Sequence, residues 1–241
     1  MLPATPAMNP SGTPAIEGTT VLAVRFAEGV LIAGDRRATM GNTVVHDRAD
    51  KVLTIDDEAA LALSGSPAAA YEIARLLEMS FQHYRRTQLQ PLSLEGKLRV
   101  LSRLLRDNLP LALQGIGAVV PIFAAFDRGT GNGRIYFCDL LGAQFESVDF
   151  CATGSGSHII RGALYYLNRW GEPPLARMDE AASLALVLRL LETAAAYDTA
   201  TGGYRPEARV FPQVVRISAG GIAAIPETAL EAVYRTELAL V

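Results

Sequence analysis

The order of strand-like and helix-like segments constrains the fold of this 241-residue chain more than any other feature. Apolar runs come in closely spaced pairs, such as "TTVLAVRF" with "VLIAGD" and "KVLTI" with "AALALSG", and each pair predicts an antiparallel hairpin. Two helical stretches, three more strands, a second helical pair and a closing strand pair follow. This order is not the alternation of βαβ units. It predicts an α+β fold in which two antiparallel sheets stack face to face under helix pairs, a four-layer αββα sandwich.

The boundaries follow from the periodicity and from the Gly- and Asp-containing turns. No repeat or internal linker divides residues 19–241, which are therefore predicted to form one domain. The predicted strands cover 19–26, 30–35, 51–55, 59–65, 119–127, 133–140, 147–153, 209–218 and 221–225. The predicted helices cover about 67–86, 93–112, 157–168 and 179–197, with a short helix from Glu227.

Composition excludes several classes of function. The net charge is -3 and the arginines are dispersed, so no nucleic-acid surface is predicted. Apolar runs fall short of the roughly 18 residues that a membrane span needs, so we expect a soluble protein. Cys138 and Cys151 are too few for a disulfide framework, and neither CxxC nor HExxH occurs. We therefore expect no metal and no cofactor, and two buried core cysteines in a reducing, cytoplasmic compartment.

The first 18 residues, "MLPATPAMNPSGTPAIEG", differ in character from the rest of the chain. They contain four prolines and no Lys or Arg. A secretory signal has a positive start and an apolar core of about 7 to 15 residues, and the segment has neither. We interpret residues 1–18 as disordered or as a pro-segment.

Thr19 follows Gly18 at the start of the first strand. Threonine is common in strands because β-branched residues suit extended backbone, so the position could be merely structural. Cleavage after Gly18 would give Thr19 a free α-amine with an unperturbed pKa of about 7.7 to 8.0. A hydroxyl activated by the amine of its own residue is a known form of covalent catalysis. In that interpretation the leader keeps the enzyme inactive until it is removed.

Charged residues follow the second strand and precede the third. Asp35, Arg36 and Arg37 end "VLIAGDRR", and Lys51 begins "KVLTI". In an antiparallel hairpin Asp35 would lie beside Thr19, and Lys51 could pair with Asp35. A nearby cation would lower the pKa of the Thr19 amine and favour its free base. The alternative is that Asp35 and Arg37 cap a strand end and Lys51 is solvated.

Six motifs in chain order resemble one family. They are "GTTVLAV", "LIAGDRRATMGN", "RADKVLTI", "LALSG", "ATGSGS" and "YDTATGG". Together they resemble the catalytic β-subunit of the 20S proteasome, especially the form of actinobacteria, from Gly18 to about Ser218. The resemblance implies an N-terminal-nucleophile hydrolase fold and a threonine endopeptidase that cleaves its own Gly18–Thr19 bond.

The resemblance also implies roles for individual residues. Thr19 would be the nucleophile, Asp35 and Lys51 would tune it, and Arg37 would support both. The group around the terminal amine would consist of Ser155, Asp198 and Thr201, where Thr201 stands in place of a frequent serine. Gly65 would offer its N–H to the carbonyl oxygen under attack.

Substrate contacts are implied in the same way. Thr39 would pair through its main chain with an extended peptide, a mode known as β-augmentation. Pro67 stands where the family commonly has alanine, so a donor N–H would be missing there. A pocket for hydrophobic side chains would be lined by Ala38, Ala49, Leu53 and Leu63.

The resemblance implies partners as well: seven-membered rings of β-subunits between rings of α-subunits, protein or peptide substrates, and an ATP-dependent unfoldase for tagged proteins. The bacterial threonine peptidase HslV is an alternative, because it resembles "ATMGNTV". The paired arginines, "DTATGG" and the longer chain argue against it. A small-molecule amidohydrolase of the same class and a non-catalytic ring subunit are further alternatives. Non-catalytic subunits typically lose the threonine or the lysine, and this chain keeps both.

Overall fold

The computed structural model describes residues 18–41 and 43–238, so all of the predicted leader at 1–18 except Gly18 lies outside the described residues. Within them the chain forms twelve strands and five α-helices. The strands are β1 (Thr20–Phe26), β2 (Gly29–Gly34), β3 (Ala38–Met40), β4 (Thr43–His46), β5 (Val52–Thr54), β6 (Ala59–Ala62), β7 (Ile122–Asp127), β8 (Asn132–Cys138), β9 (Gln144–Ser147), β10 (Phe150–Gly154), β11 (Gln213–Ser218) and β12 (Gly221–Ala224). The helices are α1 (Pro67–Gln88), α2 (Leu94–Leu113), α3 (Ser157–Trp170), α4 (Glu180–Tyr197) and α5 (Glu227–Val233), which continues as a short π-helix over Tyr234–Leu238.

Two five-stranded antiparallel sheets form the centre of the molecule. The first has the order β10-β1-β2-β11-β12 and the second the order β5-β6-β7-β8-β9. Successive side chains of a strand point to opposite faces, and both faces of β1 are covered. Val21 and Ala23 pack between the sheets, whereas Leu22 and Val24 face the cluster formed with α3 and α4. A third cluster joins the second sheet to α1 and α2. The layers confirm the predicted αββα sandwich.

The helices begin where the sequence predicts. Pro67 occupies the first turn of α1, where its missing N–H costs nothing. The side chains of Ser93 and Asp179 cap α2 and α4 by accepting hydrogen bonds from Gly96 N and Ala182 N. No helix within residues 18–41 and 43–238 is long and apolar enough to cross a membrane.

Some strand predictions were incomplete or wrong. The short β3–β4 hairpin was missed because its four β4 residues are all exposed and show no alternation of burial. The single strand predicted over 147–153 is two strands in different sheets, since β9 pairs with β8 and β10 pairs with β1. The strand predicted from 209 begins at Gln213, because residues 206–208 form a 3-10 turn.

Both cysteines are free and buried, as the sequence predicts. Burial raises the pKa of the Cys138 thiol to about 12 and that of the Cys151 thiol to about 11. Thiolates are the reactive form of cysteine, so these two residues serve packing rather than chemistry.

Candidate active site

Thr19 lies at the entrance to β1, where its backbone is hydrogen-bonded to the end of β10. Its carbonyl accepts a hydrogen bond from Ser155 N at 2.9 Å, at the end of β10. The next residue, Thr20, pairs with Gly154 in the β1–β10 ladder. The Thr19 hydroxyl donates to the carbonyl oxygen of Gly18 at 2.8 Å. The nucleophile predicted from the sequence is therefore in contact with the peptide bond that precedes it.

Asp35 and Lys51 form a buried ion pair beside this bond. The distance from Lys51 Nζ to Asp35 Oδ1 is 2.6 Å, and the two side chains are 6% and 0% exposed. Lys51 Nζ also donates to the Gly18 carbonyl oxygen at 3.1 Å. Burial lowers the pKa of Lys51 below its ordinary value, and the neighbouring Asp35 carboxylate acts in the opposite direction. The alternative in which Lys51 is solvated is wrong.

Asp35 also organises the backbone around it. Its Oδ1 accepts from Thr20 N at 2.8 Å, and its Oδ2 accepts from Arg37 N at 2.9 Å and from Gly202 N at 2.8 Å. A buried carboxylate is stable only when such donors replace water. Asp35 thereby connects β1, the end of β2 and the segment after α4.

Arg37 links the end of β2 to the segment after α4 through a second set of contacts. Its guanidinium pairs with Asp47 at 3.1 Å and donates to the carbonyl oxygens of Thr199 and Thr201 at 3.2 and 3.4 Å. Asp47 in turn accepts a hydrogen bond from Arg205. Sequence reasoning gave Asp47 no part in this arrangement.

Ser155, Asp198 and Thr201 form one hydrogen-bonded group, as the resemblance implies. The hydroxyls of Ser155 and Thr201 both donate to Asp198 Oδ2, at 2.6 and 2.5 Å. Ser155 Oγ also lies 3.4 Å from the Thr19 carbonyl oxygen. The structure thus brings Thr19, Asp35, Lys51, Arg37 and this group together at one end of the sandwich.

Thr20 is a functional neighbour that sequence reasoning missed. It is fully buried, its Oγ1 lies 2.6 Å from Thr201 Oγ1, and it accepts from Gly156 N at 3.0 Å. The signal in the sequence was the second threonine itself. Successive side chains of a strand point to opposite faces, so Thr20 points away from Thr19. On that face Thr20 is a polar residue among apolar ones.

Replacing Thr20 by valine is expected to lower the free energy of unfolding by about 2 kcal/mol, because the Thr201 hydroxyl and the Gly156 N–H would lose a buried partner. Thr20→Ser keeps the hydroxyl and is the control. Denaturant unfolding of the isolated chain measures both. Equal stability of the Val and Ser variants would contradict the role given to the hydroxyl.

A cavity of about 530 Å³ opens in front of Thr19. Its wall includes five residues predicted from the sequence to bind or orient substrate: Ala38, Ala49, Leu63, Gly65 and Pro67. Leu53 does not line it, contrary to the prediction. Leu53 lies in β5, two residues and roughly 7 Å beyond Lys51 along the chain. Its side chain packs against the cluster under α1 and α2.

Six further residues of the cavity wall were not predicted: Val45, His46, Arg48, Asp50, Ala70 and Tyr71. Most of them belong to or follow the missed β3–β4 hairpin. Thr39 lies in β3 close to Gly18, since a Cβ added to Gly18 would be 2.2 Å from Thr39 Oγ1. Thr39 is itself buried and does not belong to the cavity wall.

The sequence model of one protein family, described as "Proteasome subunit", matches residues 16–204. The chain belongs to the proteasome subunit family. Proteasome subunit beta 2 of Thermomonospora curvata is 44% identical over 210 residues, which are 87% of this chain and 72% of that protein. Proteasome subunit beta of Jonesia denitrificans is 39% identical over 213 residues, 88% of this chain and 68% of that protein. Proteasome subunit beta of Acidimicrobium ferrooxidans is 39% identical over 214 residues, 89% and 76% of the two chains.

These findings confirm the family and the hydrolase fold that the six motifs indicate. Proteasome β-subunits belong to a peptidase that degrades proteins, so the chain is a β-type subunit of a hydrolase assembled from several subunits.

Proposed function

We propose that the chain is a self-processing N-terminal threonine endopeptidase, the proteolytic β-subunit of a 20S proteasome core. The observation that carries the proposal is the contact of the Thr19 hydroxyl with the Gly18 carbonyl, with Lys51 on the same oxygen. Asp35, Arg37, Ser155, Asp198 and Thr201 act as the supporting residues. The mature domain covers residues 19–241.

Self-cleavage uses the hydroxyl that later attacks substrates. Thr19 Oγ adds to the carbonyl carbon of Gly18, and the Lys51 ammonium stabilises the negative charge that develops on the Gly18 oxygen. Collapse of the intermediate breaks the C–N bond, and the proton lost by the hydroxyl passes to the leaving nitrogen. Water then hydrolyses the resulting ester. The products are a leader ending in a Gly18 carboxylate and a chain beginning with a free Thr19 amine.

Gly18 suits this cleavage site for a steric reason. Its φ is +148°, and a Cβ there would lie 2.2 Å from Thr39 Oγ1 and 3.0 Å from Ala200 Cβ. The chain therefore passes through a gap that a side chain would block.

Peptide hydrolysis repeats the same chemistry on a bound substrate. The free Thr19 amine accepts the hydroxyl proton, Oγ forms an ester with the acyl part of the peptide, and the amine part leaves with a proton. The N–H of Gly65, on the cavity wall, stabilises the oxygen under attack. Water releases the acyl product and restores the hydroxyl.

The cavity supports cleavage after hydrophobic residues. Ala38, Ala49, Leu63 and Ala70 give it small and apolar walls, while His46 and Arg48 bring polar groups to it. An extended peptide would pair with the main chain at Thr39. Pro67 has no N–H to offer, so this chain binds the peptide with one main-chain donor fewer than a chain with alanine there.

Membership of the family supports assembly into rings of several subunits, and we extend the proposal to the particle as a whole. The subunit forms heptameric rings with other β-subunits, between rings of α-subunits, and an ATP-dependent unfoldase delivers protein substrates in the cytoplasm. HslV-like assembly is less well supported, because the three relatives compared are all named proteasome β-subunits. Electron microscopy distinguishes the two, since HslV forms double hexamers. A non-catalytic role is disfavoured by the intact Asp35–Lys51 pair.

The deciding experiment is the intact mass and N-terminal sequence of the chain after assembly with α-subunits. The wild type should begin at Thr19, and the Thr19→Ala variant should keep residues 1–18. A wild-type chain that retains its leader in complete rings would refute the proposal.

Amine labelling gives an independent measurement. The sequence has only two lysines, Lys51 and Lys97, whose side chains are 6% and 3% exposed. An amine-reactive ester on the native chain should therefore modify the α-amine alone. In the assembled wild type the label should lie on Thr19.

A further inference from the structure

The segment Thr201–Tyr204, which follows α4, is hydrogen-bonded on two sides. On its inner side the Thr201 hydroxyl donates to Asp198, and Gly202 N donates to Asp35. These contacts fix two residues of the proposed active site. The segment itself has no regular secondary structure, so its position depends on such contacts.

The outer side of the same segment is held by Glu192 of α4. Its Oε1 accepts from Tyr204 N at 2.7 Å and from the Tyr234 hydroxyl at 2.8 Å. One carboxylate oxygen therefore joins the segment to the C-terminal part of the chain. Glu192 does not line the cavity before Thr19.

Aromatic packing strengthens this junction. The rings of Tyr204 and Tyr234 are stacked with centroids 4.2 Å apart, and Phe211 stacks on Tyr204 at 4.8 Å. Tyr234 is fully buried, and burial raises the pKa of its hydroxyl, with the Glu192 carboxylate acting in the same direction. Tyr234 thus stays a neutral hydrogen-bond donor to Glu192 throughout the physiological pH range.

We infer that Glu192 and Tyr234 are positioning residues for the peptidase reaction, acting through the segment Thr201–Tyr204 on Asp35 and Asp198. The inference rests on the proposed function. Only one residue, Gly203, separates Tyr204, whose N–H is held by Glu192, from Gly202, whose N–H is held by Asp35. Loss of the outer contact frees the segment to move away from both carboxylates. Errors of about 1 Å in such a site can cost about 100-fold in rate.

A purely structural role makes a different prediction. If Glu192 and Tyr234 only stabilise the fold, their variants melt at lower temperature but hydrolyse peptides normally once folded. If they position the site, kcat falls while KM for a short peptide stays constant, because neither residue lines the cavity.

The experiment compares four variants in assembled particles with α-subunits: Glu192→Ala, Glu192→Gln, Tyr234→Phe and, as a control, Tyr165→Phe. The glutamine carbonyl can still accept both hydrogen bonds, and phenylalanine keeps the aromatic stack without the hydroxyl. Tyr165 lies on the exposed side of α3, with 65% of its surface accessible. The probe is a short fluorogenic peptide with a hydrophobic residue before the cleaved bond, and active sites are counted by the fraction of chains beginning at Thr19.

For Glu192→Ala we expect kcat per active site to fall about 10-fold or more with KM unchanged. Glu192→Gln should stay within about 2-fold of the wild type, and Tyr234→Phe should lose about 3-fold, in line with one lost neutral hydrogen bond. Unchanged kcat in both Glu192→Ala and Tyr234→Phe would overturn the inference while leaving the proposed function intact. Should Glu192→Ala fail to assemble, Tyr234→Phe decides alone. An inactive wild type that keeps its leader would overturn both proposals.

Discussion

Replacing Lys51 by methionine is expected to stop removal of the leader and to lower the free energy of unfolding by about 3 kcal/mol. The ammonium is one of the donors to the Gly18 carbonyl oxygen, and losing such a donor costs about 100-fold to 1000-fold in rate. The same change leaves the fully buried Asp35 carboxylate without its cation. Intact mass over time measures processing, and denaturant unfolding of the unassembled chain measures stability.

Two further variants separate these effects. The double change Lys51→Met with Asp35→Asn removes both charges, so it should recover much of the stability without recovering processing. Lys97→Met is the matched control, because Lys97 is the other buried lysine and pairs with Asp56 and Glu58 in another part of the fold. It should lose stability yet still process its leader. Normal processing in Lys51→Met would refute the role proposed for Lys51.

The sequence was sufficient to predict the layers of the fold. Strands buried on both faces and helices with one apolar face leave few other ways to cover two sheets. It also predicted that Asp35 lies near Thr19, because the β1–β2 hairpin aligns the end of β2 with the start of β1. The pairing of Lys51 with Asp35 was only one of two alternatives, because Lys51 precedes β5 in the other sheet and the hairpin does not fix its position.

The remaining errors concern how far along a strand a residue lies and which strands it meets. The alternation of side chains along a strand indicates which face of the sheet a residue occupies, but not how far it lies from the active-site end of that strand. Leu53 was therefore assigned to the cavity, although it packs under α1 and α2. The contacts of Thr20 with Thr201, and of Tyr204 with Glu192, join residues far apart in sequence or in different elements. No local pattern predicts such pairs, because they depend on how the segment after α4 packs against β1 and α4.

Several carboxylates in and around the site each accept hydrogen bonds from more than one residue. Asp35 accepts hydrogen bonds from the backbone N–H groups of Thr20 in β1, Arg37 and Gly202. Asp198 accepts from the hydroxyls of Ser155 and Thr201, and Glu192 accepts from Tyr204 N and the Tyr234 hydroxyl. Buried polar networks of this kind are stable when every member is satisfied and costly when one is removed. Asp35, Asp198 and Glu192 all lie outside the cavity wall, so the hydrogen-bonded network around Thr19 extends beyond the residues that line the cavity.

Replacing Gly65 by alanine is expected to lower both the stability of the fold and the peptidase activity. Gly65 has a φ of +106°, and its Cβ would lie 2.0 Å from the Ala118 carbonyl oxygen and 2.9 Å from the carbonyl carbon. These are backbone atoms next to Val119, with which Gly65 forms an isolated bridge, so the strain must displace Gly65 itself. We expect a loss of about 3 kcal/mol in stability from the clash and the unfavourable φ.

Activity should fall further than stability alone explains. Displacement would move the Gly65 N–H away from the oxygen under attack, and peptide hydrolysis per folded chain should fall by about 100-fold or more. Gly131→Ala is the matched control, since Gly131 also has a positive φ, +69°, but nothing lies within 4 Å of its added Cβ. That control should lose about 1 kcal/mol and keep its activity. A Gly65→Ala variant that loses about 3 kcal/mol of stability and still hydrolyses peptides like the wild type would exclude Gly65 as the oxyanion donor, because its N–H would then have been displaced without affecting the reaction.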